Sequence, residues 1–405
     1  MKLKDIANYV TETYDWNSFD LRTYVTTDSL VANKAGREIA SLRPAKSGRL
    51  IKFKKNDILV SNIRPYLKKI WFANESGSCS NDVLVFRANP GVPPSFLYSC
   101  LLQDQFFNYV MRGTKGSKMP RGDRRQIMEF VIQAPLSAAN EIGSTIFNLQ
   151  KKFDLLHEIN RNLEAMARQL YDYWFVQFDF PDENGRPYKS SGGRMVWNEK
   201  LKRDIPEQWE VINLFDAIDV QYGFPFSTEL LVDDVTNTPV VRIRDILNGT
   251  VSAYSTEETD SKYRLSRGDV LIGMDGNFHM NLWCDNQAYL NQRSVRFRQI
   301  GGSPISALQV MFEVAPYIKA KEQNAKGSTV GHLSDKDLRG LWILKPFTHL
   351  HFSPEKTLNQ IADLIVENRI EVSNLTTQRD ELLPLLMNGQ ASVIPTEVNC
   401  DLFKT

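Results

Sequence analysis

The stretch FKKNDILV at residues 53–60 decides the fold, because a similar stretch, LSRGDVLI, returns at residues 265–272. Further matches follow at the same offset of 211 or 212 residues. They pair Ile70-Trp71 with Leu282-Trp283, Val85-Phe86-Arg87 with Arg296-Phe297-Arg298, Lys115-Gly116-Ser117 with Lys326-Gly327-Ser328, and Pro135 with Pro346. A repeat this long is a whole domain and not the unit of a solenoid. The chain is therefore predicted to contain two similar domains, which suits a target with two halves.

Each copy alternates short runs of β-branched and aromatic residues with turn signals, as strands do. The first copy has strand candidates at 57–60, 69–72 and 82–86, followed by an apolar helical stretch at 96–111. The second copy repeats this order and adds a strand candidate at 240–243. The pattern predicts two mixed α+β domains, at residues 1–136 and 207–350.

A long segment with helical periodicity follows each copy, at residues 137–178 and 351–390, and its apolar residues recur every three or four positions. The first seam comprises Ile146, Leu149, Phe153, Leu156, Asn160, Leu163, Ala167, Leu170 and Trp174. The second comprises Leu358, Ile361, Ile365, Asn368, Val372, Leu375, Arg379, Leu382 and Leu386. Either each helix packs on its own domain or the two pair as a coiled coil, and two matched seams favour pairing. The polar seam residues are of the kind that sets register at a cost in stability.

The remaining segments are connections. Ser353-Pro354 predicts the start of the second helix and Gly389 its end. Residues 179–206 are polar and rich in glycine and proline, which indicates a linker or a docked, extended arm. Residues 391–405 form a tail.

Composition limits the class of protein. With 405 residues, 42% of them hydrophobic and 24% charged, the chain can form two or three domains with their own cores. It contains no apolar run of about 18 residues, as a membrane span needs, and its first ten residues do not resemble a signal peptide. Its four cysteines are scattered, as in proteins of the reducing cytoplasm.

Catalytic patterns are missing from the sequence. We find no GxGxxG, GxxxxGK[ST], HExxH or GxSxG pattern, and residues 61–66 do not match the Asn-Pro-Pro-Tyr loop of an amino-methyltransferase. Asp57 and Asp269 each precede a strand, where an aspartate more often forms a turn than acts in catalysis. His349 and His351 lack the partners of a metal site. No catalytic or metal site is predicted.

The net charge of the chain is uninformative, but the charge of one short segment is informative. A net charge of +1 is weak for a protein that binds nucleic acid alone. Residues 111–125, MRGTKGSKMPRGDRR, nevertheless hold six basic residues and one acidic residue. This segment is either a solvated loop or a nucleic-acid-binding patch, and its match to a second Lys-Gly-Ser loop supports the patch.

Several strings together resemble the DNA specificity subunits of type I restriction–modification systems. The resemblance covers residues 1–390, with a departure at 387–390, where MNGQ replaces the Ser-Gly-Glu that is common in the family. The strings are Asn162-Leu163-Glu164, Trp174-Phe175, Phe180-Pro181, GRPYKSSGG at 185–193, IPEQW at 205–209, DVLIGMDG at 269–276, GLWI at 340–343 and RDELLPLL at 379–386.

The resemblance implies a pseudo-two-fold architecture in which two target recognition domains are joined by two long antiparallel coiled-coil helices. Each domain would read one half of a split site in double-stranded DNA. Two methyltransferase subunits and the restriction or translocase subunits would be the partners, and they would use S-adenosylmethionine and ATP. The chain itself would be cytoplasmic, away from membranes, non-catalytic and free of bound cofactors. The alternatives are a coiled-coil interaction scaffold without base-specific reading, and a nuclease with an unrecognised site.

The helix length agrees with this arrangement, since residues 146–174 span about 42 Å at ~1.5 Å per residue and half-sites one turn apart lie ~34–36 Å apart. Contacts to phosphates and base edges are expected from basic, amide and hydroxyl side chains. In the first domain the candidates are Lys115, Ser117, Lys118, Arg121 and Arg124. In the second they are Asn277, His279, Lys326, Ser328 and Thr329.

Overall fold

The structure is a computed structural model that describes residues 1–15, 20–43, 49–116, 118–276, 278–324, 331–347 and 352–393. The chain divides into two compact units. The first unit comprises Met1–Leu155 and Val372–Thr405, and the second comprises Leu156–Glu371. Within the described ranges, no helix is both long enough and apolar enough to cross a membrane.

The first unit is built around an antiparallel four-stranded sheet of order β1-β8-β5-β6. A second sheet has the order β2-β4-β7-β3, in which β3 and β7 are parallel. In chain order the elements are α1 (Leu3–Ile6), β1 (Ala7–Tyr9), β2 (Thr13–Asp15), β3 (Tyr24–Val25), β4 (Arg49–Phe53), β5 (Ile58–Ser61), β6 (Ile70–Phe72), β7 (Gly77–Cys79), β8 (Val83–Ala88), α2 (Pro94–Leu102), α3 (Asp104–Arg112), α4 (Arg124–Met128) and the first part of α5 (Ala139–Tyr171).

The central strands β5 and β8 are buried on both faces, which explains their continuous apolar sequence. Ile58 and Phe86 face a core shared with α2 and α3, whereas Leu59 and Val85 face a smaller cluster with Phe53. The strand predictions at 57–60, 69–72 and 82–86 are confirmed to within two residues at each end. The helical stretch predicted at 96–111 consists of two helices that meet at Gln103.

The second unit repeats the main sheet in the same order, β12-β19-β16-β17, and adds a second sheet of order β13-β15-β14-β18. The mixed α+β class is therefore confirmed. Its elements are β9 (Met195–Asn198), β10 (Arg203–Pro206), β11 (Glu210–Asn213), α6 (Leu214–Ala217), β12 (Asp219–Tyr222), β13 (Leu231–Val232), β14 (Thr238–Val241), α7 (Ile243–Ile246), β15 (Ala253–Ser255), β16 (Val270–Gly273), β17 (Met280–Leu282), β18 (Tyr289–Leu290), β19 (Ser294–Arg298), α8 (Ala307–Asn324), α9 (Asp335–Arg339), β20 (Trp342–Lys345) and α10 (Pro354–Met387), with the later part of α5.

Strand pairing corrects one match between the copies. Ile58 pairs with Phe72 across β5 and β6, and the equivalent Val270 pairs with Leu282 across β16 and β17. Leu282 therefore corresponds to Phe72, and matching Leu282-Trp283 with Ile70-Trp71 was wrong by two residues. The cause is the loop between these paired strands, which spans 62–69 between β5 and β6 and only 274–279 between β16 and β17.

The extra strand predicted at 240–243 is also corrected. The strand ends at Val241, because the Asp245 carboxylate accepts the backbone N–H of Arg242 (3.0 Å) and helix α7 begins at Ile243. The strand is not extra either. Its counterpart is β3. Strand β3 pairs in parallel with β7, and β14 pairs in parallel with β18.

The predicted seam residues line the inner side of the two long helices. In the second unit, Asn368 donates from Nδ2 to Oδ1 of Asn160 (2.8 Å), and Asn160 donates to the carbonyl of Ile365 (3.2 Å). In the first unit, Arg379 donates to Oε1 of Gln150 (3.1 Å). Within each unit, one end of α5 thus contacts the opposite end of α10, and the polar seam residues bond across the two helices.

The helix ends follow the sequence closely. Helix α10 begins at Pro354 as predicted, and the Ser353 hydroxyl donates to the Glu355 carboxylate (3.3 Å). Pro384 lies inside the last turns of α10, and Gly389 follows the helix with a φ of 70°, a value that favours glycine. Helix α5 ends in a π-helical turn, Asp172–Val176.

The segment after α5 is a docked arm. Phe180 stacks on Tyr188, Trp209 and Phe352, with ring centroids 4.7, 4.9 and 5.2 Å apart. Phe180 and Trp209 are buried in the core of the second unit. Of the two interpretations for residues 179–206, the packing supports the docked arm. The predicted domain boundaries themselves stay predictions.

Candidate nucleic-acid interface

Each main sheet is held at one end by a buried aspartate and an arginine. Arg87 donates from Nε and Nη2 to the two carboxylate oxygens of Asp57 (2.8 and 2.7 Å). Arg298 donates to Asp269 in the same way (2.7 Å each). The hydrogen bonds from Arg87 to Asp57 raise the pKa of the Arg87 guanidinium, and Asp57 also accepts the backbone N–H of Lys54 (2.7 Å). Both aspartates thus have the structural turn role predicted for them.

At the opposite end of β5, two loops lie side by side. The loop after β5 (62–69) and the basic loop (113–123) are joined by main-chain bonds from Gly122 N to Asn62 O (3.2 Å) and from Arg64 N to Pro120 O (2.8 Å). Ile63 forms a β-bridge with Arg121. We call these two loops, and their equivalents in the second unit, the loop pair.

The second unit closes its loop pair with equivalent main-chain bonds. Leu333 N donates to Met274 O (2.8 Å) and Gly276 N donates to Gly331 O (3.0 Å), at offsets of 211 and 212 residues from the first unit. Asp275 and His332 form the matching β-bridge. The backbone geometry of the loop pair is therefore repeated, although few of its side chains are.

The two loop pairs also share a left-handed residue. Arg64 has a φ of 50° and the equivalent Gly276 a φ of 70°. Glycine adopts this conformation without strain, whereas a residue with a side chain pays roughly 1 kcal/mol. Arg64 keeps a bulky, exposed cationic side chain at this strained position.

The first loop pair presents a cluster of cations. Lys115 is almost fully exposed, and its ammonium lies 3.9 Å from the carboxylate of Asp123. Arg121 donates from Nη2 to Asp82 (3.2 Å), and Arg124 donates to the carbonyl of Asn81 (3.1 Å). Further exposed residues around them are Arg64, Tyr66, Lys118 and Arg125. Such a set of donors suits phosphate oxygens and base edges.

The second loop pair carries a different set of side chains. Asp275 accepts from His332 Nδ1 (2.6 Å) and forms an ion pair with Arg293 (3.3 Å). Both partners are mostly exposed, whereas Asp275 is largely covered. An acceptor at the centre of two donors thus replaces the arginine cluster of the first unit.

The predicted contact residues divide between described and undescribed parts of the chain. Lys115, Lys118, Arg121 and Arg124 lie together on the first loop pair, and His279 lies, partly buried, in the shorter loop of the second unit. The remaining candidates lie outside the described residues: Ser117, Asn277, Lys326, Ser328 and Thr329. As contacts with DNA, all ten stay predictions.

Sequence reasoning missed several residues of the loop pairs, namely Arg64, Tyr66, Asp275, Arg293 and His332. The repeat itself contained the signal for His332, because this residue follows Arg121 by 211 positions. Arg64 is equivalent to Gly276 in the second copy, so the glycine there gave no sign of a charged side chain at this position. Arg293 could not be identified from the sequence, because its ion pair with Asp275 depends on the tertiary structure.

Metal ligation finds no support in the described ranges, where no group of histidine, cysteine, aspartate or glutamate side chains could hold an ion. His349 and His351 lie outside the described residues. Cys79 and Cys100 are buried free thiols, and burial raises the pKa of both.

Comparison with known proteins shows which family this chain is similar to. Residues 206–346 match the family model for the type I restriction modification DNA specificity domain. The EcoBI type I restriction enzyme specificity subunit of Escherichia coli is 28% identical over 161 residues, which cover 40% of this chain and only 34% of that subunit. The HindI specificity subunit of Haemophilus influenzae is 21% identical over 456 residues, covering 96% of this chain and 98% of that one.

A solved structure supports the fold. The type I restriction–modification S subunit from M. genitalium aligns with a TM-score of 0.56 and 14% identity, covering 95% of each chain. The family match lies on the second main sheet and its loop pair, and the HindI alignment extends over nearly the whole chain. The chain is therefore similar to the DNA specificity subunits of type I restriction–modification systems, and its residues 206–346 match their specificity domain.

Proposed function

We propose that each unit reads one half of a bipartite double-stranded DNA target through its loop pair. The observation that carries this proposal is the duplicated loop pair, which has the same main-chain bonds in both units and different side chains. A repeated backbone presents each reading surface at the same end of an equivalent sheet. Different side chains then give the two surfaces different base preferences.

The first surface supplies both kinds of contact that specific recognition needs. Lys115 and Lys118 are exposed and extend from a loop, as phosphate contacts do, and they add affinity that depends on salt. Arg121 is held by Asp82, and a restrained guanidinium is suited to a base edge. The predicted DNA contacts of the basic loop belong to this proposal.

The two long helices would form the antiparallel coiled coil that joins the recognition domains. Asn160 bonds to Asn368 in one unit and Arg379 bonds to Gln150 in the other, so the seam has polar contacts that fix its register in both. The outer positions of α5 between the seam residues are largely exposed, which leaves a helix surface for partner subunits.

The partners would be two methyltransferase subunits and the restriction or translocase subunits of the system. S-adenosylmethionine and ATP would be bound by those partners, and this chain would bind no cofactor and catalyse no reaction. The relatives are each named as the specificity subunit of a restriction enzyme, which supports a division of labour of this kind. An interaction scaffold that reads no bases would not require two loop pairs with matched backbones, so we favour DNA reading.

Exchange of one recognition domain tests the proposal. Residues 1–136 are replaced by the corresponding domain of another specificity subunit, and the methylation motif of the assembled complex is determined by sequencing. One half of the motif should change while the other stays as in the wild type. A reciprocal exchange of residues 207–350 is the matched control and should change the opposite half. The proposal is wrong if either exchange alters both halves or neither.

A further inference from the structure

We infer that three equivalent positions of the loop pair determine which bases each unit reads. In the first unit they are Ile63, Asp82 and Arg121. In the second they are Asp275, Arg293 and His332. We call each set a reading triad, and the inference rests on the proposed DNA-reading function of the loop pair.

Main-chain bonds establish that the three positions are equivalent. Ile63 bridges Arg121 as Asp275 bridges His332. Asp82 and Arg293 are equivalent as well, because each lies in the turn beside the loop. Asn62 N donates to the carbonyl of Asp82 and Met274 N donates to the carbonyl of Arg293, each at a distance of 2.8 Å. The comparison is therefore made at fixed backbone sites, and it does not depend on aligning divergent loops.

The side chains at these positions differ in charge and polarity between the two units. Asp82 is an acid where Arg293 is a base, and Arg121 is a permanent cation where His332 is an imidazole. An apolar Ile63 stands where Asp275 accepts a hydrogen bond from His332 and forms an ion pair with Arg293. Elsewhere in the same sheets the shared aspartate–arginine contact is retained without change. The two units thus present different chemistry at three adjacent, partly exposed positions of one shared backbone.

In the first triad, Arg121 is the reading side chain and Asp82 is its positioning residue. Both carboxylate oxygens of Asp82 lie near the Nη2 atom of Arg121, at 3.1 and 3.2 Å. The arginine side chain is nevertheless 59% exposed. One edge of the guanidinium is thus fixed, and its other nitrogens can donate to a base with two acceptors, as guanine presents in the major groove.

In the second triad, the central acid is the positioning residue and two donors read. Asp275 is only 21% exposed and holds His332 and Arg293, which are 59% and 70% exposed. The two donors are separate side chains instead of one planar group. They therefore suit a different arrangement of acceptors from the one that the planar guanidinium of Arg121 suits.

Nothing in the loop-pair backbone depends on the identity of these side chains. The bonds that close it join main-chain N–H and carbonyl groups, which every residue except proline can supply. A substitution within a triad should therefore change base preference while the loop pair stays folded, which makes the inference testable by mutation.

The test is made on the assembled complex with Arg121→Ala and, separately, His332→Ala. The readout is the ratio of methylation rates on duplexes with the native motif and on duplexes with single base changes in either half. Arg121→Ala should lower this ratio about 10- to 100-fold at one position of one half-site and leave the other half unchanged. His332→Ala should lower the ratio in the opposite half. Asp82→Asn and Asp275→Asn should have smaller effects on the same halves.

Lys55→Ala is the matched control, because Lys55 is exposed at the other end of β5 and should leave every ratio unchanged. Arg121→Lys keeps the charge and should lower the ratio as well, since a lysine ammonium cannot donate two parallel hydrogen bonds as a guanidinium does. Ratios that stay at the wild-type value in both triad variants, even with slower methylation overall, would overturn the inference. Failure of the proposed function has a different result, in which the wild-type complex methylates without a bipartite preference.

Discussion

The two units share their main sheet strand for strand, yet their second sheets are assembled differently. Both second sheets contain a short parallel pair, β3 with β7 and β14 with β18. In the first unit the sheet continues from β7 to β4, whereas in the second it continues from β14 to β15. The main sheet carries the aspartate–arginine contact and the loop pair. The comparison therefore separates the elements that support the loop pair from those in which the copies diverge.

The largest expected effect tests what the copies have in common. Arg87→Leu and Arg298→Leu each leave a buried aspartate without its charged partner, which should lower the free energy of unfolding of the affected unit by about 3–5 kcal/mol. Urea unfolding, with hydrogen exchange measured separately for the two main sheets, checks this. Arg22→Ala, which removes an exposed pair with Asp20, is the control and should leave the stability nearly unchanged. A small effect in one unit alone would show that the two aspartate–arginine contacts are not equivalent.

The next effect concerns the seam of the second unit, where the polar contact is a neutral pair. Asn160→Leu leaves the amide of Asn368 without its partner and should cost about 1–3 kcal/mol. Adding Asn368→Leu should recover most of that loss, because an apolar pair suits the seam. A double-mutant cycle in urea measures the coupling. Equal losses that simply add would show that the two asparagines do not interact.

A pH effect is expected from Glu313 in the second unit. Burial raises the pKa of the Glu313 carboxyl from 4.5 to about 7, although it accepts the backbone N–H of Leu344 (2.9 Å). The folded state thus holds this proton more tightly than the unfolded chain, so stability is full below about pH 4.5 and declines as the pH rises through about 7. Glu313→Gln removes the titration and keeps an acceptor for Leu344.

Relative to this variant, the wild type should lose on the order of 1–2 kcal/mol between pH 5 and pH 8. Urea unfolding of both proteins at the two pH values gives the difference. The residue 211 positions earlier is Leu102, which is buried and cannot titrate, so hydrogen exchange in the first main sheet serves as the internal control. A stability difference that does not change with pH would contradict the prediction.

The smallest effect concerns binding. Lys115→Ala with Lys118→Ala should weaken DNA binding by the assembled complex and reduce the slope of log affinity against log salt by about two, one for each phosphate contact. Lys54→Ala with Lys55→Ala removes the same charge from the opposite end of β5 and is the matched control. An unchanged slope in the first variant would place the basic loop away from DNA.

Much of this architecture could be predicted from the sequence because its signals are local and repeated. The duplicated string at 53–60 and 265–272, the heptad spacing and the asparagine in each seam all lie within short windows. The pairing of Asn160 with Asn368 could not be foreseen, since it depends on the relative register of two helices. The shorter loop of the second copy was hidden by the two tryptophans, Trp71 and Trp283, which invited a match two residues out of register.

The reading triads lay beyond sequence reasoning for a related reason. Arg121 belongs to a basic run that is visible in the sequence, but Asp82 and Arg293 come from a strand turn with no distinctive composition. The strands of the second sheets are only two to five residues long, and so short a segment carries too little periodicity to show its partner. Contacts of this kind are set by tertiary structure and leave no local pattern in the sequence.

The main-chain closure of the loop pair has a consequence for how these proteins evolve. Most substitutions are eliminated because they lower stability below the level that function requires. A site held together by backbone groups is largely exempt, since the bond from Arg64 N to Pro120 O survives a change of side chain at either neighbouring triad position. Under the proposed reading function, a lineage could therefore pass from one recognised sequence to another through intermediates that all fold.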